Sequence, residues 1–300
     1  MSISNPIKNR IKILKAEFDN LKKGKESLLI IIDEAEIPEV VYNSNAIENS
    51  TLTLKETKKI LLDMEVSRDV SVIEVFEAKN LARVVEYIRN KSQAQKINEE
   101  IILFLHQILI SGINDEIAGR FRVKGEYVRV GTHIAPAPEQ VKQMIESTLI
   151  EYTSNLSAYF LDKIAKFHLD FETIHPFNDG NGRIGRALIC FQLQQFGLPM
   201  IIIKNKEKRK YYDAFGDYRQ KKNTKTMEKI IALALIESLH KRITYLKGEK
   251  IITVSEYAKG HRKSASAILN AARRQTIPVF REKGVWKIGE KFKMNKNNSN

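Results

Sequence analysis

Two predicted helices are joined by the sequence His175-Pro-Phe-Asn-Asp-Gly-Asn-Gly-Arg-Ile-Gly-Arg186. Its glycines, Gly180 and Gly182, permit backbone angles that other residues resist, so successive N–H groups can turn toward one anion. The segment then opens the following helix, where unpaired N–H groups and the helix dipole favour phosphate. On both sides of it, apolar residues recur at three-to-four spacing, which predicts a mainly α-helical protein.

Charged side chains in this segment add chemistry to the anion site. Arg183 and Arg186 lie three residues apart and project on one side of the predicted helix, where both can bind phosphate oxygens in fork geometry. Asp179 offers the hard oxygen ligand that Mg²⁺ on a nucleotide prefers. His175 has the ordinary pKa of a general base near neutral pH. The alternative is a helix–helix connection whose Asp and Asn merely cap the second helix.

Composition limits the class of protein. The 300 residues are 43% hydrophobic and 29% charged, which predicts a globular protein of two or three small domains and excludes extensive disorder. The longest aliphatic run, Ile230–Ile236, is far shorter than the roughly 20 residues of a membrane span. The single cysteine, Cys190, excludes an internal disulfide and a cysteine-based zinc site. With no recognisable signal peptide, we expect a cytoplasmic protein without a membrane partner.

The charge balance points to a polyanionic partner. Fifty Lys and Arg residues against 36 Asp and Glu give a net charge of +14, and the last 50 residues hold 11 basic residues against three Glu. Nucleic acid, a nucleotide or an acidic protein surface would each satisfy this excess. A well-solvated lysine-rich surface is the alternative explanation.

One segment departs from the helical pattern. Residues Gly125–Ile134 alternate in type over a short span and are followed by Pro136 and Pro138, which predicts a hairpin-like flap. Elsewhere, Thr53-x-x-Glu56 forms a capping-box pattern before a helix. The predicted helices are Leu54–Met64, Val75–Arg89, Asn98–Ile110, Val141–Ser154, Ala158–Ile174 and Arg183–Gly197.

Between His175 and Arg186, every defined position matches His-x-Phe-x-Asp/Glu-Gly-Asn-Gly-Arg-x-x-Arg, so the sequence resembles the Fic (filamentation induced by cAMP) family. The similarity covers about residues 97–235. The flap, preceded by Gly119-Arg-Phe-Arg122, is similar to the family segment that holds the target and the nucleotide. The resemblance implies a Fic-type helical bundle with a β-hairpin flap.

The resemblance also implies a reaction, the transfer of AMP from ATP to a Ser, Thr or Tyr hydroxyl of a protein target, including the enzyme itself. His175 would deprotonate the hydroxyl, which attacks the α-phosphate while pyrophosphate leaves. Asp179 would hold Mg²⁺ on the phosphates. A homodimer is expected from the resemblance alone. The implied ATP-binding residues in this segment are Asp179, Gly180, Asn181, Gly182, Arg183 and Arg186.

Further nucleotide contacts are implied outside the motif. Tyr211 and Tyr212 match a tyrosine pair near the adenine, where a stacked ring is physically sensible. At Arg219 some relatives have an Asn that contacts adenine, so this sequence departs from the pattern. The flap positions implied in nucleotide or target contact are Val130, Gly131, Thr132 and His133.

The segment Ser44-Asn-Ala-Ile-Glu48-Asn49 is similar to the family's inhibitory motif, Ser/Thr-x-x-x-Glu-Gly/Asn. The resemblance implies that Glu48 pairs with Arg186 and occupies the fork that should receive the γ-phosphate. In some relatives this Glu also positions water to remove AMP, and the sequence does not decide between the two roles. A helix with Glu48 on its surface is the structural alternative.

A boundary falls near residues 246–250. Beyond it, a short helix over Thr253–Tyr257, a basic amphipathic helix over Lys263–Arg274 and two strands joined at Lys283-Gly284 form a winged helix-turn-helix pattern. A small basic dimerisation or docking module is the alternative. The predicted organisation is an N-terminal helical region with the inhibitory motif (1–95), a Fic core (96–245) and a winged-helix domain (250–300).

Other functions of the Fic core or of the C-terminal segment agree with parts of the sequence. Phosphotransfer, as in the Doc branch, is disfavoured because that branch has Lys where this chain has Gly182. Nothing in the sequence favours phosphocholine transfer. A DNA-binding regulator would use residues 250–300 on an operator, with the Fic core as sensor. A binding module with an inactive site is disfavoured by the complete motif.

Overall fold

The computed structural model describes residues 4–66, 69–261 and 263–294. Residues 1–3, which begin the predicted N-terminal helical region, and residues 295–300, which end the predicted winged-helix domain, lie outside this description. The α-helices are α1 (Asn5–Leu21), α2 (Glu26–Ile47), α3 (Leu54–Lys58), α4 (Val72–Lys91), α5 (Glu99–Ile110), α6 (Pro138–Ser154), α7 (Phe160–Ile174), α8 (Asn181–Gln195), α9 (Lys208–Lys221), α10 (Lys225–Leu246), α11 (Val254–Gly260) and α12 (Ala265–Arg273). The chain is therefore mainly helical, as predicted.

The short strands form two antiparallel sheets. They are β1 (Arg129–Val130), β2 (His133–Ile134), β3 (Ile251–Thr253), β4 (Val279–Glu282) and β5 (Val285–Gly289). Strands β1 and β2 form the predicted flap, with Val130 opposite His133. The other sheet has the order β3-β5-β4. Among the described residues, no helix has both the length and the apolar character needed to cross a bilayer.

The described residues divide into two compact units, 37–231 and 4–36 with 232–294, and the division falls within α2 and α10. In the first unit α8 is the central helix, because α4, α5 and α7 all pack against it. Its side chains Ile184, Leu188, Phe191 and Leu193 are buried. The loop that precedes α8 is therefore attached to the most enclosed element of this unit.

Local sequence explains where the helices begin and end. The capping box at Thr53 and Glu56 forms as predicted, but the predicted helix is α-helical only to Lys58. A π-helical turn continues from Lys59 to Asp63. The predicted helix from Arg183 to Gly197 instead begins at Asn181 and ends at Gln195. Gly180, with φ 81°, breaks the chain direction two residues earlier than expected.

In the second unit, α11 and α12 pack with the three-stranded sheet. Its core includes Tyr257, Ile268, Val279 and Ile288. The strand pair predicted around Lys283-Gly284 is present as β4 and β5. Strand β3 was not predicted, because three residues are too few to display an alternating pattern.

Candidate active site

His175 sits where α7 ends. It adopts the left-handed conformation, with φ 51°, and its N–H donates to the carbonyl of Phe171 at 2.8 Å. This conformation turns the chain sharply out of α7 into the loop. The side chain is only 15% exposed, and its Nδ1 atom is buried. The other ring nitrogen, Nε2, is therefore the one available to a reacting group.

Arg122 fixes the backbone on both sides of this turn. Arg122 is 3% exposed, and its guanidinium donates to four main-chain carbonyls. The acceptors are His175 at 2.8 Å, Glu126 at 2.9 Å, Pro136 at 3.0 Å and Ile174 at 3.3 Å. One buried cation thus ties the position of the candidate base to the segments that flank the flap.

The loop itself is closed by buried side chains. Asn181 accepts a hydrogen bond from the Phe177 N–H at 2.9 Å and donates to the Phe177 carbonyl at 2.8 Å. The Phe177 ring stacks on His106 at a centroid distance of 3.7 Å. The His106 Nε2 donates to the carbonyl of Asp179 at 3.1 Å. Burial lowers the pKa of His106 to about 4, so its ring is neutral at pH 7.

The two arginines of α8 have different environments. Arg183 is paired with Glu77 at 2.6 Å and with Asp179 at 3.1 Å. Arg186 is equally enclosed but faces the end of α2. Its Nε donates to the Ser44 hydroxyl at 3.0 Å, its Nη2 to the Ser44 carbonyl at 2.9 Å, and its Nη1 is 2.8 Å from the Glu48 carboxylate. All faces of the Arg186 fork thus have partners.

Gly182 makes the contact between Glu48 and Arg186 geometrically feasible. A Cβ added at Gly182 would collide with the Glu48 carboxylate and would lie 3.0 Å from Arg186 Nη1. The glycine therefore leaves the space beside the arginine that the carboxylate occupies.

A cavity of about 380 Å³ joins most of the predicted residues. Three lining residues were not assigned a role from the sequence, namely Glu172, Phe215 and Arg219. The predicted residues that line it are Glu48, Val130, Gly131, Thr132, His175, Gly182, Arg186, Tyr211 and Tyr212. This volume lies within the range of small-molecule sites in proteins.

The remaining predicted residues lie outside the lining of this cavity. Ser44 is behind Arg186, and Asp179, Gly180, Asn181 and Arg183 lie in the loop and the first turn of α8. His133 belongs to the flap but donates through Nε2 to the carbonyl of Thr173 at 2.8 Å. These residues contact the site through the backbone or through another side chain.

The tyrosine pair is divided between core and surface. Tyr211 is 1% exposed, and its hydroxyl forms hydrogen bonds with His168 Nε2 at 2.8 Å and with Arg186 Nη1 at 3.5 Å. Tyr212 is 38% exposed and donates to the carbonyl of Ile47 at 3.1 Å. Tyr211 therefore supports the arginine, whereas Tyr212 contacts the end of α2.

Burial shifts the titration of the groups around the cavity. It lowers the pKa of His175 to about 4, with Arg122 adding to the effect and the backbone carbonyl of Glu172 opposing it. Burial, reinforced by the charge of Glu48, raises the pKa of Glu172 to about 8. For Arg186, burial opposes the charged form, but Tyr211 and the carboxylates of Glu48 and Glu172 outweigh it and raise the pKa.

A divalent cation fits one position of the loop. The Asp179 carboxylate is 56% exposed and directly precedes the N-terminal turn of α8, and Arg183 Nη2 donates to both of its oxygens at 3.1 Å. Mg²⁺ is commonly held by one or two carboxylates together with substrate phosphates and water. Among the described residues there is no cluster of three or more His, Cys, Asp and Glu side chains that could hold a metal by itself.

The family model described as Fic/DOC family matches residues 96–193 of this chain. A curated relative from Nematostella vectensis, named "Protein adenylyltransferase Fic", is 29% identical over 178 residues. The match covers 58% of this chain and 41% of that protein. The chain thus spans about two fifths of that relative's length.

Two solved structures share the fold over most of this chain. A Fic domain containing signaling protein from Bacteroides thetaiotaomicron is 26% identical, with a TM-score of 0.72, covering 80% of this chain and 98% of that one. A Fic family protein from Desulfovibrio desulfuricans is 19% identical, with a TM-score of 0.66, covering 98% and 99% respectively. The second similarity extends the shared fold beyond residues 96–193.

Proposed function

We propose that this protein is an ATP-dependent protein adenylyltransferase, which transfers AMP to a Ser, Thr or Tyr hydroxyl of a protein target and of itself. The observation that supports this most strongly is the meeting of His175, Gly182 and Arg186 at one cavity. A base, the N-terminus of a helix and an arginine fork are the groups that nucleotidyl transfer requires. The names of the curated relatives favour AMP as the transferred group.

In this reaction His175 Nε2 accepts the proton of the target hydroxyl. The hydroxyl oxygen then forms a bond to the α-phosphorus, and the bond to the pyrophosphate oxygen breaks. The N–H groups at the start of α8 stabilise the charge that develops on the α-phosphate. Arg186 binds the terminal phosphates in fork geometry.

Asp179 is the residue that would hold Mg²⁺, which when bound supplies positive charge to the phosphates. Arg183 keeps this carboxylate in place through the contact at 3.1 Å. The flap residues Val130, Gly131 and Thr132 form the wall of the cavity along which a target segment would lie.

The same proposal includes autoinhibition. Glu48 occupies Arg186, so the terminal phosphates lose their fork and the α-phosphate is held out of line with the attacking oxygen. Removing Glu48 should therefore activate the enzyme. Whether Glu48 also positions water for removal of AMP is a second question, tested by incubating AMP-modified target with the wild-type chain and with Glu48→Gly. Release of AMP by the wild type alone would assign Glu48 this additional role.

The reaction class is tested with ATP labelled on either the α- or the γ-phosphate. The full-length Glu48→Gly variant is incubated with Mg²⁺ and each nucleotide, with Glu48→Gly/His175→Ala as the matched control. Incorporation of α-label into protein by Glu48→Gly, and its absence with Glu48→Gly/His175→Ala, would support AMP transfer. Protein that gains only γ-label would overturn the proposal in favour of phosphotransfer.

The second unit favours a second candidate function, DNA binding through a winged helix. Helix α12 and the β4–β5 hairpin have the order expected of such a domain, and Lys263, Arg273 and Arg274 are exposed. Retardation of random duplex DNA that weakens with salt and with Arg273→Ala/Arg274→Ala would support this function. No retardation at low salt would leave this segment as a docking module for protein. A homodimer and a cytoplasmic location remain predictions from the sequence.

A further inference from the structure

Glu172 lies directly behind the candidate base. It precedes His175 by three residues on α7, and its Oε2 is 3.9 Å from His175 Nδ1. The Glu172 side chain is 8% exposed. Among the described residues, neither Glu172 Oε1 nor His175 Nδ1 has a hydrogen-bond partner. Buried polar atoms without partners are costly, so an unpartnered nitrogen of the candidate base with a buried carboxylate oxygen 3.9 Å away calls for a functional explanation.

The neighbouring helix leaves space for this carboxyl group. A Cβ added at Gly185 of α8 would collide with Glu172 Oε1 and would lie 2.9 Å from the His168 ring. Gly185 lies inside α8, where glycine is unfavourable by about 1 kcal/mol relative to alanine. Gly185 therefore lowers the stability of α8 but leaves the space that the Glu172 carboxyl group occupies.

We propose that Glu172 is the positioning residue of His175, which orients the imidazole through Nδ1 and offsets the charge that the ring gains during transfer. This inference rests on the proposed nucleotidyl transfer. A carboxylate on the far nitrogen of a histidine base fixes the tautomer, so that the lone pair of Nε2 faces the reacting hydroxyl. The 3.9 Å separation is longer than a hydrogen bond, and catalytic hydrogen bonds of this kind tighten when the reacting complex forms.

The proton and charge balance is simple. The target hydroxyl gives its proton to His175 Nε2 as its oxygen bonds to the α-phosphorus and pyrophosphate departs. The imidazole then carries one positive charge, and Nδ1–H donates to the Glu172 carboxylate. The proton later leaves Nε2 to solvent, and Glu172 itself gains and loses none.

The inhibitory carboxylate also affects Glu172. Burial and then Glu48 raise the pKa of Glu172 to about 8, so it is mostly neutral at pH 7 while Glu48 is in place. Arg186 and the uncharged His168 ring are its other neighbours. When Glu48 withdraws, Glu172 loses this repulsion and keeps the attraction of Arg186, so the pKa of Glu172 falls while burial still raises it. The charges that face His175, besides Glu172, are Arg122, Glu48 and His133 if protonated.

The test compares Glu48→Gly with Glu48→Gly/Glu172→Gln in the full-length chain. The pKa of His175 is measured by NMR with labelled histidine, and α-label transfer is measured from about pH 4 to 9, a range that includes the acidic limb set by His175. We expect Glu172→Gln to lower the pKa of His175 and to displace the acidic limb of the rate profile toward lower pH. The maximal rate should fall at least about tenfold, with the KM for ATP changed less than threefold.

Two controls separate positioning from structure. Asp162→Asn removes a carboxylate from the first turn of the same helix and should leave rate and pH profile unchanged. Glu172→Asp should restore part of the rate, because it retains the carboxylate. The inference would be overturned if Glu172→Gln left both the pKa of His175 and the transfer rate unaltered. It would also be overturned if Glu172→Asp lost as much of the rate as Glu172→Gln. Absence of α-label in Glu48→Gly itself would instead contradict the proposed function.

Discussion

Glu48 Oε1 lies 2.8 Å from Arg186 Nη1, and the two side chains differ in exposure, at 36% for Glu48 and 7% for Arg186. The arginine is held from within by Ser44 and Tyr211, whereas the carboxylate approaches from the open side. Glu48 is therefore the more accessible partner of the pair, and the contacts of Arg186 with Ser44 and Tyr211 do not pass through it. Glu48 thus occupies the side of Arg186 on which an anion would bind, while the other contacts of the arginine come from Ser44 and Tyr211.

Ser44→Ala tests how the arginine is held. The variant loses the 3.0 Å hydrogen bond from Arg186 Nε to the hydroxyl, while the bond to the Ser44 carbonyl remains. Because Arg186 then gains freedom to meet a phosphate, we expect α-label transfer several-fold above the wild type and below Glu48→Gly. Ser147→Ala, an exposed serine of α6, is the control. Transfer equal to the wild type would contradict this role of Ser44.

Arg122→Lys tests the backbone frame of the base. A lysine ammonium has three donors and no fork, so it cannot reach all four carbonyls that Arg122 satisfies. We expect the free energy of unfolding in urea to fall by about 1–3 kcal/mol. The matched control is Arg120→Lys. Arg120 pairs with Glu126 and donates to the carbonyls of Glu116 and Phe121, but its side chain is 36% exposed, so its replacement should cost less than about 1 kcal/mol. Equal costs at the two positions would contradict the account.

The raised pKa of Glu172 predicts a pH dependence of stability. Burial, with Glu48, raises this pKa from 4.5 to about 8 in the folded chain, so between these values the folded state holds a proton that the unfolded state has lost. Unfolding free energy attributable to Glu172 therefore falls as pH rises from about 5 to 8. We expect the free energy of unfolding of Glu172→Gln to rise relative to that of the wild type by roughly 2–4 kcal/mol across this range.

Urea titrations at several pH values measure this difference. His168 and His175, whose pKa values burial lowers to about 3 and 4, act in the opposite direction between about pH 4 and 6.5. The His168 contribution is present in both chains and cancels, whereas the His175 contribution differs between them but acts only below about pH 6.5, so the Glu172 difference is taken between about pH 6.5 and 8. A difference between Glu172→Gln and the wild type that does not change with pH would refute the prediction.

The sequence allowed prediction of the parts of the site that are local in the chain. The loop from His175 to Arg186 has its glycines, base and arginines within twelve residues, so their spacing along the chain is sufficient to predict that they lie together. The pairing of Glu48 with Arg186 was predicted through the resemblance, since no pattern connects residues so far apart. The flap was predicted because alternation and two prolines interrupt a helical sequence.

Long-range partners could not be predicted in this way. Arg122 and His175 are 53 positions apart, and Glu77 and Arg183 are 106 apart. Nothing at Glu77 distinguishes it from other surface-type residues of an amphipathic helix. Glu172 lay in a helical pattern with an apolar face, and only packing against Gly185 reveals that its carboxyl group is buried. These contacts depend on how helices meet, which periodicity does not specify.

The central claim is that AMP transfer is held back by Glu48. The most direct measurement is the rate of α-label incorporation from ATP and Mg²⁺ into the wild type and Glu48→Gly, at equal concentration and pH. Because breaking a buried carboxylate–guanidinium pair costs about 3–5 kcal/mol, release of this partly exposed one should raise the rate at least about tenfold. We therefore predict strong incorporation by Glu48→Gly and weak incorporation by the wild type. Equal rates in the two chains would contradict the account.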